Sequence, residues 1–396
     1  MNPAPKLSRG ADLLIIDNGH FPDPVGGGDT FIVEIARRLR AQGWTPAFVT
    51  TEEGRVAHSK LGYAGETILW DATPYGRAAP ELFAAKRLCE ALLRISKHLR
   101  RDSPRVFVSA SEYLYDSLPA LFLSHSGDGR NVLVVLHMVV PFPTSGQSQQ
   151  LHLPHLSEVM EWVSSRLTLI FGKLRGARFV VIHPQIKIRL ESQFNVRSEL
   201  ISVVPNGANI ARVPTSKRLV YDACFLGRFH PQKGVDDLLE IWKRVVAHVP
   251  TACLAIAGPE TTRFRPRIRE MGLESSVVIF GMVSEAQKRE LIQGAKVFLM
   301  PSHFESFPIT LLESLASGTP AVAFDLPCLT GPFESGILKV RCFDVAEFAA
   351  QVVRVIGSDR LRQAMSDSAI QGAAQYTWDY SVSRFAEALG ALNEVE

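Results

Sequence analysis

Short runs of apolar residues alternate along the chain with segments in which apolar residues recur at every third or fourth position. The first run, at residues 12–17, precedes a glycine-rich loop, and residues 29–43 follow with Phe31, Ile35 and Leu39 at helical spacing and a glycine at the end. Further strands are predicted at residues 45–51, 105–110, 131–138, 178–183 and 200–207. Continuous apolar strands with helices between them are typical of a parallel sheet that is covered on both faces.

The same pattern starts again in the second half of the chain. Strands are predicted at residues 221–229, 252–258, 276–283, 296–302 and 320–324. Polar residues and prolines collect between the two series, at residues 184–218. The chain is therefore predicted to be an α/β protein with two doubly wound, Rossmann-like domains facing across a cleft, with ligands at the carboxyl ends of the strands.

Composition narrows the class of protein. With 396 residues the chain is long enough for two domains, and a net charge of +3 gives no reason to expect nucleic acid as a partner. The five cysteines are scattered without a C-x-x-C pair, as in a protein of a reducing compartment. The sequence shows neither a signal-peptide pattern nor an apolar run of bilayer length. We therefore expect a soluble cytoplasmic protein.

Candidate chemistry begins with the stretch HFESFPITLLESLASGTP. Glu305 lies in a predicted loop, and Glu313 lies in the second turn of a helix predicted at residues 308–317. The free amides near Ile309 and Thr310 could receive a phosphate. The two carboxylates would then accept hydrogen bonds from hydroxyls on either side of a bound diphosphate, as a nucleotide sugar presents them. Two solvated glutamates beside an ordinary helix would give the same spacing, so this stretch alone does not decide.

A second motif, GRFHPQKG, adds positive charge. Arg228 follows the end of a predicted strand and Lys233 precedes Gly234, so both cations can reach one anion. A planar guanidinium and a compact ammonium suit a diphosphate whose charge grows as it leaves. Each cation alone is explained equally well as a surface residue, but the two motifs together predict a nucleotide-sugar site.

With VVPNGANI, VVIFGMVSEAQKRELIQGAKVFLMPS and the N-terminal GGGDTFIVEIARRLRAQGW, these motifs resemble glycosyltransferase family 4 over nearly the whole chain. The resemblance implies a GT-B fold and a retaining enzyme. Such an enzyme moves a hexose-type sugar from a nucleotide-diphosphate sugar to a hydroxyl of a polysaccharide, glycolipid or small glycoside precursor. It also implies an acceptor-binding domain at residues 1–200, a donor-binding domain at 201–375, and a terminal helix at 376–396 that packs on the first domain through Trp378 and Phe385.

The resemblance assigns roles to individual residues, with the two cations on the diphosphate, Glu305 on the hexose and Glu313 on the ribose. The implied catalytic residues are His137, Arg228, Lys233 and Glu305. The implied donor-binding residues are Gly27, Gly28, Asn206, Gly207, Arg228, Lys233, Gly258, Met282, Val283, Glu305, Ser306, Phe307, Pro308, Ile309 and Glu313. The implied acceptor-binding residues are Ser109, Glu112 and Tyr113.

Some of these assignments have simpler alternatives. The turn at Asn206 and Gly207 is explained equally well as a plain β-turn, and His137 at a strand end could be a structural histidine. The glycine loop at residues 26–28 invites comparison with a dinucleotide-binding fingerprint. That fingerprint needs a third glycine at the required G-x-G-x-x-G spacing and a position directly after the strand, and this loop has neither.

The mechanism is inferred from groups that the motifs lack. No carboxylate is expected beneath the anomeric carbon, as a double displacement would need, so a front-face reaction is favoured. In that reaction the leaving diphosphate takes the proton of the acceptor while the cations and helix amides stabilise its charge. No D-x-D-like pair follows a strand, so neither a metal nor a cofactor is predicted.

The segment at residues 86–105 is basic on one face and carries Leu88 and Leu92 on the other. It is predicted to be a helix that covers a sheet, with peripheral contact at the inner face of a membrane as the alternative, which would suit a lipid-linked acceptor. Residues 138–150 read as a long loop that could close over the acceptor.

Other functions on the same fold stay open, since function lies in the site. They are a sugar phosphorylase, a nucleotide-sugar hydrolase, and a non-catalytic nucleotide-sugar-binding subunit. The chain also departs from the family. Residues 325–340 replace its usual glycine-rich acidic loop, Asn209 replaces an aspartate, and Ser314 replaces an alanine. The base, sugar and acceptor are therefore not carried over.

Overall fold

A computed structural model describes residues 13–19, 26–70, 86–93, 106–123, 131–140, 156–209 and 219–392. The chain divides into two compact units. Unit 1 comprises Met1–Pro205 and Trp378–Glu396, and unit 2 comprises Asn206–Thr377.

Unit 1 contains one parallel sheet, with seven strands in the described residues, in the order β3-β2-β1-β4-β5-β6-β7. The strands are β1 (Leu13–Ile16), β2 (Pro46–Thr50), β3 (Glu66–Leu69), β4 (Val106–Ser109), β5 (Val132–Leu136), β6 (Arg178–Val181) and β7 (Ile201–Val203). The helices are α1 (Gly27–Ala41), α2 (Glu52–Lys60), α3 (Leu114–Leu123), α4 (Leu156–Arg175), α5 (Pro184–Phe194) and the C-terminal α12 (Trp378–Gly390).

The core of unit 1 lies on both faces of its central strands. Every residue of β1 is buried, as expected for a strand between parallel neighbours, and Leu13 pairs with Pro46 of β2 and Val106 of β4. Helix α12 packs on this unit, where the ring of Phe385 meets the ring of Phe31 at 6.4 Å between centroids. Trp378, at the start of α12, is also buried.

Unit 2 has the corresponding architecture, with six parallel strands among the described residues in the order β10-β9-β8-β11-β12-β13. The strands are β8 (Tyr221–Leu226), β9 (Leu254–Ala257), β10 (Val277–Gly281), β11 (Ala295–Met300), β12 (Ala321–Phe324) and β13 (Ile337–Val340). The helices are α6 (Val235–His248), α7 (Arg265–Glu270), α8 (Glu285–Gln293), α9 (Ile309–Ala316), α10 (Val345–Gly357) and α11 (Asp359–Ala373). Trp242 of α6 and Phe348 of α10 are fully buried in the core.

The strand order of each unit reverses next to its first strand. In unit 2 the reversal lies between β8 and β11, which are hydrogen-bonded neighbours. Connections from these two strands leave the sheet on opposite sides, so a crevice opens between the loops at their carboxyl ends. Those loops are residues 227–234 and 301–308, the two motifs that carry the candidate chemistry.

The predicted fold class, an α/β protein with two parallel Rossmann-like sheets, is confirmed. Two strands, β3 and β13, were not predicted from the sequence. Helix α9 begins at Ile309, with Pro308 as the residue before it. In the segment at 86–105 residues 86–93 are helical, while residues 94–105 lie outside the described part, as do residues 141–150 of the predicted lid loop. Of the helices that are described, none has the length and apolar character needed to cross a membrane.

Candidate functional site

The two motifs of unit 2 meet through an ion pair. The Lys233 ammonium donates to Oε1 of Glu305 at 2.6 Å, and the hydroxyl of Ser302 donates to the same oxygen at 2.8 Å. The Glu305 side chain is only 10% exposed. The carboxylate is therefore held in one position at the crevice between β8 and β11, with a cation beside it.

Two hydrogen bonds between the two loops hold this ion pair in place. The side-chain amide of Gln232 donates to the carbonyl of Phe304 at 3.0 Å, and the amide of His303 donates to the carbonyl of Gln232 at 2.8 Å. Gly234, at the end of the first loop, has a φ of +64°. A Cβ on Gly234 would lie less than 3.0 Å from the carbonyl of Pro301 in the second loop. Only glycine allows so close an approach of the loops.

Arg228 adds a second positive charge to the same loop. It lies just beyond the end of β8 and its side chain is exposed. The pKa of nearby His230 is lowered by burial and then by the charges of Arg228 and Lys233. Both cations therefore raise the potential at the strand ends, where an anion would be stabilised.

The start of helix α9 supplies hydrogen-bond donors next to Glu305. Pro308 precedes the helix and provides no side-chain cap, so the first-turn amides have no partner within the helix. The hydroxyl of Ser306 is buried and has no hydrogen-bond partner among the described residues. Amides at a helix start with a nearby hydroxyl are a donor set suited to a phosphate.

Glu313 lies in the second turn of α9. Its Oε1 accepts a hydrogen bond from the Lys288 ammonium at 2.7 Å. Its Oε2 is buried and has no partner in the part of the chain that the structure describes. Burial raises the pKa of the Glu313 carboxyl, and the charge of Lys288 opposes that rise. The neighbouring Ser314 is buried, and its hydroxyl donates to the carbonyl of Thr319 at 2.8 Å.

Glycines bring the ends of β8, β9 and β10 close together. Gly258, after β9, has a φ of +133°, and a Cβ on it would lie less than 3.0 Å from the carbonyl of Gly227. Its amide donates to the carbonyl of Gly281 at 2.8 Å. Beyond β10, Met282 is 67% exposed and Val283 is partly exposed. Gly258 thus lies against Gly227, the first residue of the loop that carries Arg228.

The Asn206–Gly207 segment begins unit 2. Asn206 is buried, and its Oδ1 has no hydrogen-bond partner among the described residues. Ala208 next to it donates its amide to the carbonyl of Tyr376 at 2.9 Å. This segment is thus hydrogen-bonded to the residues that precede α12.

In unit 1, His137 lies just beyond the end of β5 and is held at three points. Its backbone amide donates to Oε2 of Glu112 at 2.9 Å, and its Nε2 lies 2.9 Å from the carbonyl of Ala110. Because a carbonyl can only accept, Nε2 carries the proton. The ring also meets Phe31 edge-on at 5.7 Å. A Cβ on Gly28 would lie 3.1 Å from Nε2, so a side chain at this position of helix α1 would press on the imidazole.

Of the three candidate acceptor residues, Glu112 contacts this histidine. Glu112 is buried, which raises its pKa, and His137 opposes that rise. Ser109 is buried as well, and its hydroxyl donates to the carbonyl of Ser111 at 2.7 Å. Tyr113 is half-buried and stacks on Tyr115 with 5.5 Å between ring centroids.

Two side chains of the site were not predicted from the sequence. Ser302 is the last residue of the strand predicted at 296–302, and its position at a strand end before Glu305 was a usable signal. Lys288 gave no such signal, because a lysine three residues after Glu285 on a helix is typical of a surface ion pair. Among the described residues, no group of three or more His, Cys, Asp or Glu side chains is arranged to hold a metal ion.

Two family models match adjoining parts of the chain. The model described as "Glycosyltransferase Family 4" matches residues 25–212, and "Glycosyl transferases group 1" matches residues 212–372. Phosphatidyl-myo-inositol mannosyltransferase of Mycobacterium leprae is 29% identical over 191 residues, which cover 46% of this chain and 51% of that protein. The chain spans about half or less of the length of this and other curated relatives that it matches.

Solved structures resemble the chain along almost its full length. Sucrose-phosphate synthase from Thermosynechococcus elongatus matches with a TM-score of 0.76 at 16% identity, over 97% of this chain and 99% of that one. Anabaena Alr3699/HepE, in complex with UDP and glucose, matches with a TM-score of 0.70 at 16% identity, over 96% and 99%. These likenesses show the fold. With the two family models, which together run from residue 25 to residue 372, they establish that the chain belongs to the family 4-like glycosyltransferases of GT-B fold.

Proposed function

We propose that this glycosyltransferase moves a hexose-type sugar from a nucleotide-diphosphate sugar to a hydroxyl acceptor, with retention of configuration and without a metal. The observation that carries the proposal is the Lys233–Glu305 ion pair, placed directly before the uncapped start of α9. A fixed carboxylate, a cation and free amides in one loop can serve sugar hydroxyls and phosphate oxygens together.

In this proposal the donor lies along the strand ends of unit 2. Arg228, Lys233 and the amides from Ser306 to Thr310 bind the diphosphate, with no amide available at Pro308. The Glu305 carboxylate accepts hydrogen bonds from hydroxyls of the hexose, and the Glu313 carboxylate accepts hydrogen bonds from hydroxyls of the ribose. The backbone of Gly258 and of Met282–Val283 lines the pocket for the nucleotide's base. Binding of UDP and glucose by the structurally similar HepE supports a donor of this class.

Transfer breaks the bond between the anomeric carbon and the diphosphate oxygen and forms a bond from that carbon to the acceptor oxygen. The acceptor's proton passes to the leaving diphosphate oxygen, so no separate base is needed. Attack on the face from which the diphosphate leaves retains the configuration. Arg228, Lys233 and the helix amides stabilise the charge that develops.

Unit 1 is proposed to serve the acceptor and the transferred sugar. Ser109, Glu112 and Tyr113 are assigned to the acceptor, and His137 with Gly27 and Gly28 to the donor side. Because Nε2 of His137 donates to Ala110, its Nδ1 is the atom assigned to accept from a sugar hydroxyl. Cytoplasmic action on a sugar or lipid-linked acceptor belongs to the same proposal.

The test is turnover with product analysis. Nucleotide release from common UDP-, GDP- and ADP-sugars is followed with a panel of glycoside acceptors, and the product's anomeric configuration is read by NMR. The proposal expects release that depends on the acceptor and a product with the donor's configuration. Inverted product would refute the mechanism, and release without any acceptor would indicate a hydrolase.

A further inference from the structure

Lys288 of helix α8 stands between two carboxylates. Its ammonium donates to Oε1 of Glu313 at 2.7 Å and lies 2.8 Å from Oε2 of Glu285. Lys288 and Glu313 are mostly buried, with 20% and 18% of their side chains exposed, whereas Glu285 is 77% exposed. The pair with Glu313 is therefore the shielded one, and it joins two helices that follow different strands.

The two oxygens of Glu313 are in different states. Oε1 is bound to Lys288, while Oε2 is buried without a partner among the described residues. A buried carboxylate oxygen that lacks a donor is unfavourable, because it has lost the hydrogen bonds that water would give it. Such an atom, on the helix that follows the crevice loop 301–308, can accept a hydrogen bond from a ligand hydroxyl if the carboxylate does not rotate.

Lys288 also favours the charged form of this carboxylate. Burial raises the pKa of Glu313 and the ammonium opposes it. Burial alone would lower the pKa of Lys288, but Glu313 and Glu285 together raise it. Each partner thus favours the charged form of the other.

Helix α8 is itself anchored, so the ammonium has a defined position. Ser284 and Gln287 form a capping box at its start, with hydrogen bonds of 3.3 Å and 3.0 Å. At its end Leu291 and Ile292 are buried, and the hydroxyl of Thr319 donates to the carbonyl of Ile292 at 2.9 Å. Thr319 lies three residues after the end of α9, so this hydrogen bond connects the end of α9 to the end of α8.

We propose that Lys288 is a positioning residue of the donor site: it binds Oε1 of Glu313 so that Oε2 faces the vicinal diol of the nucleotide's ribose. This inference rests on the proposed function, because it takes Glu313 as the group that binds the ribose. It assigns to Lys288 no contact with the nucleotide itself.

The test compares nucleotides with and without the diol. Calorimetry measures the affinity of the wild type for UDP, GDP and ADP, and then for the 2′,3′-dideoxy analogue of whichever binds. Lys288→Met is measured beside a matched control, Lys296→Met. Lys296 also pairs with a partly buried carboxylate, Asp222, at 2.7 Å, but at the amino ends of β8 and β11, away from the site.

Lys288→Met is expected to bind the natural nucleotide about tenfold more weakly while its affinity for the dideoxy analogue stays unchanged. Lys296→Met should match the wild type on both ligands, and Lys288→Arg should recover most of the discrimination. Equal loss of affinity for both ligands, or unchanged discrimination in Lys288→Met, would overturn the inference. If Lys288→Met does not fold, Lys288→Gln gives the same comparison. Absence of nucleotide binding by the wild type would instead overturn the proposed function.

Discussion

Gly234 connects the stability of unit 2 to the geometry of its candidate site, and its replacement by alanine makes the sharpest structural test. Its φ of +64° costs an L-residue roughly 1–2 kcal/mol. The added Cβ would also lie less than 3.0 Å from the carbonyl of Pro301, which is backbone and cannot rotate away. The loops must therefore separate.

That separation stretches the hydrogen bonds between Gln232 and residues 303–304, each worth about 0.5–1.5 kcal/mol. The total loss of unfolding free energy should be roughly 3 kcal/mol or more. It should come with weaker nucleotide binding, because Lys233 and Glu305 belong to the separated loops.

The assay is urea denaturation followed by circular dichroism, with Gly272→Ala as the matched control. Gly272 is in the same unit with a φ of +68°, but a Cβ there would have no atom within 4 Å. Gly272→Ala should lose only the unfolding free energy that a positive φ costs an alanine, roughly 1–2 kcal/mol. It should bind nucleotide as the wild type does. Equal destabilisation by the two substitutions would refute the close approach of the two loops.

Two further predictions concern unit 1. Because burial raises the pKa of Glu112 above its ordinary 4.5, its contribution to stability is present below that pH and is lost as pH rises through the folded value. Glu112→Gln, whose amide oxygen still accepts from His137, should flatten this part of the pH profile of the unfolding free energy, and an unchanged slope would contradict the assignment. Gly28→Ala places a Cβ 3.1 Å from Nε2 of His137, so it should lower turnover several-fold with little change in melting temperature, since alanine favours the helix. Unaltered turnover would remove His137 from the proposed site.

The sequence predicted the strands that are buried on both faces and the edge strands β7 and β10, and it missed the other two edge strands, β3 and β13. β1 and β8 are central and read as continuous apolar runs, which are the signal of a parallel sheet. β3 (Glu66–Leu69) has no buried residue in the structure and contains two polar residues. β13 is similarly open, with only Val340 buried. These two edge strands lack a continuous apolar run, which the predicted edge strand β10 (Val277–Gly281) has, so hydrophobic pattern alone does not reveal them.

Within the site, the sequence identified residue types and positions but not their partners. Lys233 and Glu305 were both candidates, yet the ion pair between them spans 72 positions and follows only from the β8–β11 pairing. Lys288 was missed because its partner Glu313 is 25 positions away, on another helix. Periodicity reports which face a residue occupies, whereas these contacts depend on how two helices pack.

The donor site in unit 2 is the central claim, and the most direct measurement is a melting titration of the whole protein with UDP, GDP and ADP and their sugar conjugates. A nucleotide at 100 times its dissociation constant should add about 2.7 kcal/mol of stability. Arg228→Ala and Glu313→Ala should each abolish or strongly reduce this shift. Arg244→Ala, which removes an exposed arginine of α6, should retain it. One family of nucleotides that stabilises the wild type and the control but neither site variant would establish the donor site. No shift with any nucleotide at millimolar concentration, or a full shift in both site variants, would contradict it.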